Sequence, residues 1–523
     1  MTPRYLSSDD RRWGLRLAFL ALSLVAVPRT MDALYGSLNA EFLYGSFTDY
    51  AFCLLLTGAA FFAPGPFWLY ADALAFAVPG AAWSALAAVY GRPPTGEEFY
   101  FLWETNLSEA SEYAVFVLSR HPFALLPAVA AILLPWPFLR RMARVRAKAR
   151  AALPRAEAAL LCLLAAAVVY FSGAASIACR FYQTLFHYEV NQARAVRASE
   201  SARGVFAESL APSAAETFVV VIGESASRHH MSLYGYGRRT DPEMAKLAEK
   251  GTLIVLRDVA ATSTATTWSL LRALSFMDKN TGLEAYRASV VDLFKSAGFK
   301  TWWLSNNAVM SRFDTLLRAV SENADVRFFT KPTHSDLVGM ITGLSPSDAA
   351  PTYDEALMEP FRAALSDNAV KKIIFVHLRG SHVIYKHRYP PQHSVFSGDA
   401  GLGPRVLSLP LASSDLDTIN EYDSSIAYTD RLLGEMVAEL EASAGDSRTW
   451  LLYFSDHGEE VFDFRMFNGR AAALNADESV SRYMVDVPLL IWSPNPPRET
   501  PPPATLDGLI HTIVDLGGIR ISE

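Results

Sequence analysis

Acid and imidazole side chains follow three strand-like runs of the sequence. The run TFVVVI leads to Glu224, KKIIFVHL leads to His382, and TWLLYF leads to Asp456 and His457. Because the carboxyl ends of parallel strands meet at one edge of a sheet, we expect these side chains to lie close together. Oxygen and nitrogen ligands of this kind suit zinc, with manganese as the alternative. Taken singly, each residue could instead cap a helix, form a polar turn or lie in a loop.

A cluster of hydroxyl side chains stands just before an amphipathic segment in RDVAATSTATTWSLLRALSF. Its members are Thr262, Ser263, Thr264, Thr266 and Thr267. By itself the cluster is more typical of a helix N-cap with a serine/threonine turn. A hydroxyl held by a divalent cation at a helix N-terminus can also attack a phosphate. A metal site together with this cluster therefore favours a phosphoryl-type transfer.

The part of the chain that must position these residues begins after Ala214. Short β-branched or aromatic runs alternate there with amphipathic segments. This alternation predicts an α/β fold with a mainly parallel sheet flanked by helices. We therefore expect residues 214–523 to form the catalytic domain.

The chain is too apolar on average for an ordinary soluble enzyme of its length, so part of it is expected to lie in a membrane. The 523 residues are 51% hydrophobic and 19% charged, and the mean hydropathy is +0.15. Apolar runs long enough for a membrane span of roughly 17–25 residues lie at about 13–28, 51–70, 71–91, 121–139 and 158–178. We expect a five-helix transmembrane domain at 1–180 and bridging interfacial helices at 181–213.

Basic residues set the expected orientation of the membrane domain. The loop RRMARVRAKARAALPR between the fourth and fifth runs has no acidic residue, as is typical of cytoplasmic loops. Arg4, Arg11 and Arg12 precede the first run, which is read as an uncleaved anchor rather than a signal peptide. Five crossings then place the C-terminal domain on the side of the membrane opposite the cytoplasm.

The net charge and the cysteine content argue against nucleic-acid binding, a disulfide framework and a cysteine-ligated zinc site. The formal net charge is −7, so no electrostatic attraction to nucleic acid is expected and no nucleic-acid partner is predicted. The three cysteines Cys53, Cys162 and Cys179 all lie in or beside apolar runs. Neither a disulfide framework nor a cysteine-ligated zinc site can be built from them.

Four motifs resemble the phosphoethanolamine transferases of the alkaline phosphatase and sulfatase superfamily. They are VVVIGESASRHHMSLYGYGRRTDP, ATSTATTWS, HLRGSH followed by HRYP, and YFSDHGEEV. Further similar segments are WETNLSEASEY, SAGFKTWWLSNN, TYDEALMEP and YDSSIAYTDRLL. The resemblance covers essentially the whole chain. It implies an inner-membrane enzyme that modifies lipid A, the lipopolysaccharide core or another periplasmic glycan.

The resemblance also implies roles for particular residues. Glu224, Thr264, Asp456 and His457 would hold one catalytic zinc, and Thr264 would also be the nucleophile that carries phosphoethanolamine. His382 would contact the phosphate or transfer a proton. Thr105 and Glu109, in the loop after the third apolar run, would bind the ethanolamine head group. The implied donor is phosphatidylethanolamine, and diacylglycerol would be released.

The chain departs from the family pattern at one position that bears on the metals. Relatives usually carry another histidine after the DHG motif, but none occurs here between Gly458 and Pro488. Asn468 or Arg470 falls near that position. Arg470 could bind phosphate as a bidentate donor, but it could not ligate a second metal, so a second metal is doubtful.

Two other functions stay open at the level of sequence. A glycerophosphate transferase or phosphodiesterase of the same superfamily would use the same threonine and zinc with another head group. A non-catalytic membrane scaffold could have kept the fold without the activity. A sulfatase is disfavoured, because the hydroxyl cluster lacks the cysteine or serine followed by proline and arginine of that branch. The acceptor and the oligomeric state are not predicted.

Overall fold

The computed structural model describes residues 13–35, 40–62, 67–90, 92–94, 123, 125–148, 177–186, 190, 206–211, 214–281, 286, 288–308, 320–331, 352–443, 445, 447–470, 478–496 and 503–522. The chain divides into two compact units, Met1–Glu189 and Val190–Glu523. The boundaries predicted at residues 180 and 213 remain predictions.

The first unit is helical in every part that the structure describes at length. Its helices are α1 (Trp13–Tyr35), α2 (Ala40–Phe62), α3 (Phe67–Tyr90), α4 (Leu126–Leu133) and α5 (Trp136–Lys148), and residues 177–186 are also helical. Two stretches among the described helices, Arg16–Leu34 and Phe67–Val89, have the length and apolar composition needed to cross a membrane.

The predicted span at 51–70 has the wrong bounds. Helix α2 ends at Phe62 and α3 begins at Phe67, and Pro64 and Pro66 stand between them in the sequence. Proline lacks the amide hydrogen that continues a helix, so two helices replace the predicted run. The fifth predicted span, 158–178, lies outside the described residues except for its last two.

A buried ionic cluster links the first three helices. The Arg29 guanidinium on α1 lies 3.0 Å from Asp32 Oδ2 and 2.7 Å from Asp49 Oδ2 on α2. Trp83 Nε1 on α3 donates to Asp32 Oδ1 over 2.6 Å. In an apolar environment such polar side chains need partners, and here they find them on neighbouring helices.

The second unit is built on a seven-stranded sheet with the order β3-β10-β7-β2-β6-β4-β5. Its strands are β2 (Glu216–Gly223), β3 (Leu253–Leu256), β4 (Lys300–Ala308), β5 (Val326–Lys331), β6 (Lys371–His377), β7 (Arg448–Ser455) and β10 (Leu489–Trp492). Strand β10 pairs antiparallel with β3 and β7, and the other pairings are parallel. The predicted mainly parallel sheet is therefore confirmed.

Helices cover both faces of this sheet. They are α6 (Pro242–Glu249), α7 (Thr266–Ala273), α8 (Val290–Ser296), α9 (Met358–Leu365), α10 (Pro404–Leu407), α11 (Ser413–Ser443), α12 (Glu478–Val485) and α13 (Leu509–Gly517). Along the central strand β2, Phe218 and Val220 pack into one apolar cluster, and Val219 and Val221 pack into the other. This two-sided burial explains why β2 reads as an unbroken apolar run.

Two small sheets complete the second unit. Strands β8 (Glu460–Val461) and β9 (Asn468–Gly469) form a hairpin after the DHG motif. Strand β1 (Phe206–Ser209) pairs antiparallel with the C-terminal β11 (Ile519–Ser522). Residues 206–209, near the end of the bridging interfacial helices predicted at 181–213, therefore form a strand instead, because the edge of β11 offers them a ladder of hydrogen bonds.

A buried ion pair at the start of β2 yields a stability prediction. Glu216 is fully buried, contacts Lys371 Nζ on β6, and lies 2.5 Å from Arg448 Nη2. Glu216→Ala leaves Lys371 buried without its counter-charge, which should cost about 3 kcal/mol of unfolding free energy. Glu243→Ala breaks the exposed pair with Lys246 and should cost less than about 1 kcal/mol. Thermal unfolding of both variants checks this, and equal shifts in Tm would contradict it.

Candidate metal centre and active site

The ends of two adjacent parallel strands bring an acidic and imidazole triad together. Glu224 follows β2, and Asp456 and His457 follow β7, which pairs with β2 in parallel register. One ligand atom from each of the three side chains lies within 4.8 Å of the others. His457 Nε2 is 3.2 Å from Glu224 Oε1 and 3.1 Å from Asp456 Oδ2. Three of the four predicted metal ligands therefore converge.

The donor atoms of the triad suit a divalent cation. His457 Nδ1 lies 3.0 Å from the Gly458 carbonyl, which fixes the proton on Nδ1 and leaves the Nε2 lone pair facing the carboxylates. Asp456 Oδ1 accepts the amides of Ser225 and His457, whereas buried Asp456 Oδ2 lies 3.1 Å from His457 Nε2 and has no other partner among the residues that the structure describes. Two carboxylate oxygens and one imidazole nitrogen leave room for a fourth ligand, as in tetrahedral zinc sites.

The electrostatics of the triad require a positive charge between the carboxylates. Burial raises the pKa of Asp456, but His457 outweighs it and holds that pKa at about 2. The pKa of Glu224 is also lowered, because contacts with His457 outweigh burial and the charge of Asp456. Burial and Arg470 lower the pKa of His457, yet Asp456 and Glu224 raise it to about 9. Without a cation, a proton on His457 supplies that charge.

One threonine of the hydroxyl cluster borders the triad, and the proposed nucleophile stands two residues before it. Thr266 begins α7, and its Oγ1 lies 3.2 Å from Glu224 Oε2 and 3.3 Å from His457 Nε2. Thr264 is buried two residues earlier, and its carbonyl accepts a hydrogen bond of 3.0 Å from Arg470. Thr266 belongs to the predicted hydroxyl cluster, but no role was predicted for it. Its position at the start of the amphipathic segment could have indicated that it lies near the site.

Arg470, rather than Asn468, reaches the triad. Its Nη1 contacts His457 Nε2 as well as the Thr264 carbonyl, and its Nε lies 4.0 Å from Glu459 Oε1. Asn468 Oδ1 instead accepts the Tyr385 hydroxyl over 2.8 Å. A cationic side chain therefore stands beside the triad on the segment that follows the DHG motif.

His382 lies on the loop after β6, and this loop is held against Glu224. Ser381 N donates to the Glu224 carbonyl over 2.8 Å. Gly380 has φ +49°, and a Cβ there would lie 2.8 Å from the Glu224 backbone, so only glycine fits. On the other side, the Asp354 carboxylate accepts the amides of Arg379 and Gly380.

The imidazole of His382 is neutral. Burial lowers its pKa to about 3, and although Glu224 opposes this, Arg379, Arg388 and Arg470 lower it further. A neutral imidazole with so low a pKa accepts a hydrogen bond rather than a proton near neutral pH. This favours the phosphate contact over the proton transfer among the two roles that the resemblance implies for His382.

Two further residues were missed by the sequence analysis. Ser225 adopts φ 60°, donates from Oγ to Glu224 Oε1 over 2.9 Å, and so orients a predicted ligand. Glu459 is buried beside Arg470, and burial raises its pKa to about 7 despite that arginine. The only sequence signal for either was its place within the GES and DHGEE motifs. Thr105 and Glu109, the predicted head-group residues, lie outside the described residues.

The sequence and the fold match known proteins. The sulfatase family profile matches residues 216–519. The chain is 32% identical over 314 residues to phosphoethanolamine transferase EptC of Escherichia coli K12, covering 58% of this chain and 51% of that one. It is 34% identical over 317 residues to phosphoethanolamine transferase CptA of Salmonella typhimurium, with the same coverage. The chain thus spans about half the length of the curated relatives it matches.

Two solved structures resemble this one. The C-terminal periplasmic domain of EptC from E. coli, in complex with Zn, is 31% identical and matches with a TM-score of 0.52 over 60% of this chain and 86% of the other. Lipooligosaccharide phosphoethanolamine transferase A (EptA) from Neisseria meningitidis, an integral membrane protein, matches with a TM-score of 0.58 over 97% of this chain and 95% of the other. At 17% identity, the second match shows the fold alone.

The chain belongs to the sulfatase family and is homologous to its phosphoethanolamine transferases. The resemblance stated from the motifs is therefore confirmed, as is the alkaline phosphatase and sulfatase type of the α/β unit.

The raised pKa of His457 makes cation binding depend on pH. Because a bound cation must displace the proton from Nε2, zinc affinity should weaken by up to about tenfold per unit as the pH falls from about 8 to about 6. Titration against a chelator of known protonation constants measures this. In Asp456→Asn the pKa of His457 should fall, so the pH slope should flatten while the affinity drops. An affinity of the wild type that is constant over this range would contradict the assignment.

Proposed function

We propose that this protein transfers phosphoethanolamine from phosphatidylethanolamine to lipopolysaccharide, at its core or lipid A, or to another periplasmic glycan. The single observation that carries the proposal is the buried triad of Glu224, Asp456 and His457 beside the first turn of α7. The similarity to EptC and CptA, which are named phosphoethanolamine transferases, supports the choice of head group.

Zinc is the proposed cation, held by Glu224, Thr264, Asp456 and His457. The related periplasmic domain of EptC was solved in complex with Zn, which supports zinc over manganese. When bound, zinc supplies Lewis-acid stabilisation of negative charge on the phosphate and on the attacking oxygen. A single cation is proposed, because Arg470 already brings positive charge to the position of the missing histidine.

In the first half-reaction, Thr264 Oγ attacks the phosphorus of phosphatidylethanolamine. The bond between phosphorus and the glycerol oxygen breaks, and diacylglycerol leaves with the proton that Thr264 gives up. The N-terminus of α7, two residues further on, favours the negative charge of the phosphate. Thr266 holds the Glu224 carboxylate in place through its hydroxyl.

In the second half-reaction, an acceptor oxygen attacks the phosphoethanolamine group on Thr264. The bond to Thr264 Oγ breaks, and the proton of the acceptor returns to that oxygen. His382, neutral at physiological pH, accepts a hydrogen bond from the acceptor hydroxyl and so orients it for this step. The same residues act in both half-reactions, so the donor and the acceptor bind at one site in turn.

Substrate contacts are assigned to Arg470, Thr105 and Glu109. Arg470 offers a planar, permanently charged fork that matches phosphate oxygens. Glu109 would pair with the ethanolamine ammonium, and Thr105 would bind the same head group. The last two assignments rest on the family resemblance alone.

A membrane location fits a lipid donor. We propose that residues 1–180 form a five-helix domain in the bacterial inner membrane, with the N-terminus in the cytoplasm and residues 214–523 in the periplasm. The two apolar helices of the first unit and the likeness of fold to the integral membrane EptA support this placement.

Mass spectrometry of the protein incubated with phosphatidylethanolamine tests the proposal. We expect a phosphoethanolamine adduct on the peptide with Thr264, together with released diacylglycerol, in the wild type. Thr264→Ala should give no adduct because the attacking oxygen is gone. Thr262→Ala is the matched control, since it removes a neighbouring hydroxyl of the same cluster, and it should keep the adduct.

Each other outcome of that experiment has a definite meaning. An adduct that persists in Thr264→Ala would overturn the nucleophile, and one that maps to Thr266 would transfer the role to that residue. An adduct formed only with phosphatidylglycerol would favour glycerophosphate transfer. Protein that holds no zinc and forms no adduct would favour a membrane scaffold.

A further inference from the structure

His230 is a buried histidine to which the proposed chemistry gives no role. It lies in the short turn Arg228–His230 after β2 and is 1% exposed. Its Nδ1 is 2.6 Å from Asp423 Oδ1 on α11, and its Nε2 is 3.0 Å from Asp463 Oδ1 in the β8–β9 hairpin. Both ring nitrogens therefore face carboxylates from two different elements.

This arrangement needs a charged imidazole. Carboxylates only accept hydrogen bonds, so both ring nitrogens must carry a proton. Burial lowers the pKa of His230, but Asp463 and Asp423 outweigh it and raise it to about 10. Asp423 Oδ2 also accepts from Arg238 and from the Tyr236 hydroxyl. His230 is thus an imidazolium that joins two buried anions.

The hairpin that His230 holds leads directly to Arg470. Asp463 lies between β8 and β9, and its Oδ2 accepts the amide of Val461 on β8 over 2.8 Å. Arg470 follows the last residue of β9. Elsewhere the hairpin is held by the Tyr385 hydroxyl on Asn468 and by Arg405 on the Phe464 carbonyl. The link to His230 is a buried contact between opposite charges.

We propose that His230 is a positioning residue that acts through Asp463 to hold the β8–β9 hairpin where Arg470 reaches His457 and Thr264. The inference rests on the proposed function only in the phosphate role given to Arg470. His230 itself touches neither the triad nor the hydroxyl cluster in any contact found among the described residues. Its effect on transfer must therefore pass through the hairpin.

The neighbouring histidine provides a matched control. His229 lies in the same turn, but its Nε2 pairs with Asp486 over 2.7 Å, and its side chain is 22% exposed. His230→Gln keeps one hydrogen bond at most and removes the charge, so we expect kcat/KM to fall about tenfold or more. His229→Gln should change it less than about twofold. Zinc content should be unchanged in both variants.

Hydrogen exchange measures the hairpin independently of activity. Peptides that cover residues 460–470 should exchange faster in His230→Gln than in the wild type or His229→Gln, because the hairpin opens more often. If His230→Gln does not fold, Asp463→Asn removes the same link from the other side and should show the same increase. Unchanged exchange in a folded variant would overturn the inference.

A double variant tests whether the effect passes through Arg470. If it does, His230→Gln should lower kcat/KM little further in a protein that already carries Arg470→Ala, because two substitutions that act through the same contact are not additive. A full loss from His230→Gln in the Arg470→Ala background would overturn the inference. Full transfer by Arg470→Ala alone would instead overturn the phosphate role of Arg470, and the exchange experiment would still decide the role of His230.

Discussion

The convergence of two buried carboxylates on His457 Nε2 is the constraint on which the rest of the second unit depends. Glu224 and Asp456 are both buried, and although burial raises both pKa values, contacts with His457 are the main cause that holds them below the ordinary range. Buried like charges repel each other and lose their hydration. A proton, an arginine or a divalent cation must therefore be present, and of these the cation has the charge to serve both carboxylates and to activate a hydroxyl.

The strands alone do not place every residue around the triad, and helix α11 supplies an internal frame for the loops. The Tyr422 hydroxyl donates to the Ser225 carbonyl and accepts the Ser227 amide, which holds the segment after Glu224. Ser425 Oγ donates to Ser381 Oγ on the loop of His382. Asp423 holds His230, as described above. One buried polar run, YDSS, thereby holds two loops, the one after β2 that carries Glu224 and the one after β6 that carries His382.

The parts of the site that follow strands could be predicted from the sequence. Unbroken apolar runs ending in Glu224 and in Asp456 and His457 indicate buried parallel strands, and parallel strands bring their ends together. The fold class of the second unit follows from the same alternation of runs. The family resemblance added the roles of Thr264 and His382, which no periodicity could supply.

Residues joined by long-range contacts could not be predicted in this way. The residues His230 and Asp463 are 233 positions apart, and no sequence pattern near either residue predicts their pairing. The choice between Asn468 and Arg470 depends on the pairing of β9 with β8 and on contacts with distant residues, which a sequence does not show. The bounds of α2 were predicted wrongly because the apolar run continues through Pro64 and Pro66. The prediction followed the apolar composition of this run, although proline lacks the amide hydrogen that continues a helix.

X-ray absorption at the zinc edge of the purified protein identifies the ligands of the proposed cation. We expect one zinc with a single imidazole nitrogen and otherwise oxygen neighbours, at about 2.0–2.2 Å. In His457→Ala the imidazole signal should disappear while the protein stays folded. Zinc surrounded by sulfur, by several imidazoles or by water alone would contradict the assignment of Glu224, Asp456 and His457 as its ligands.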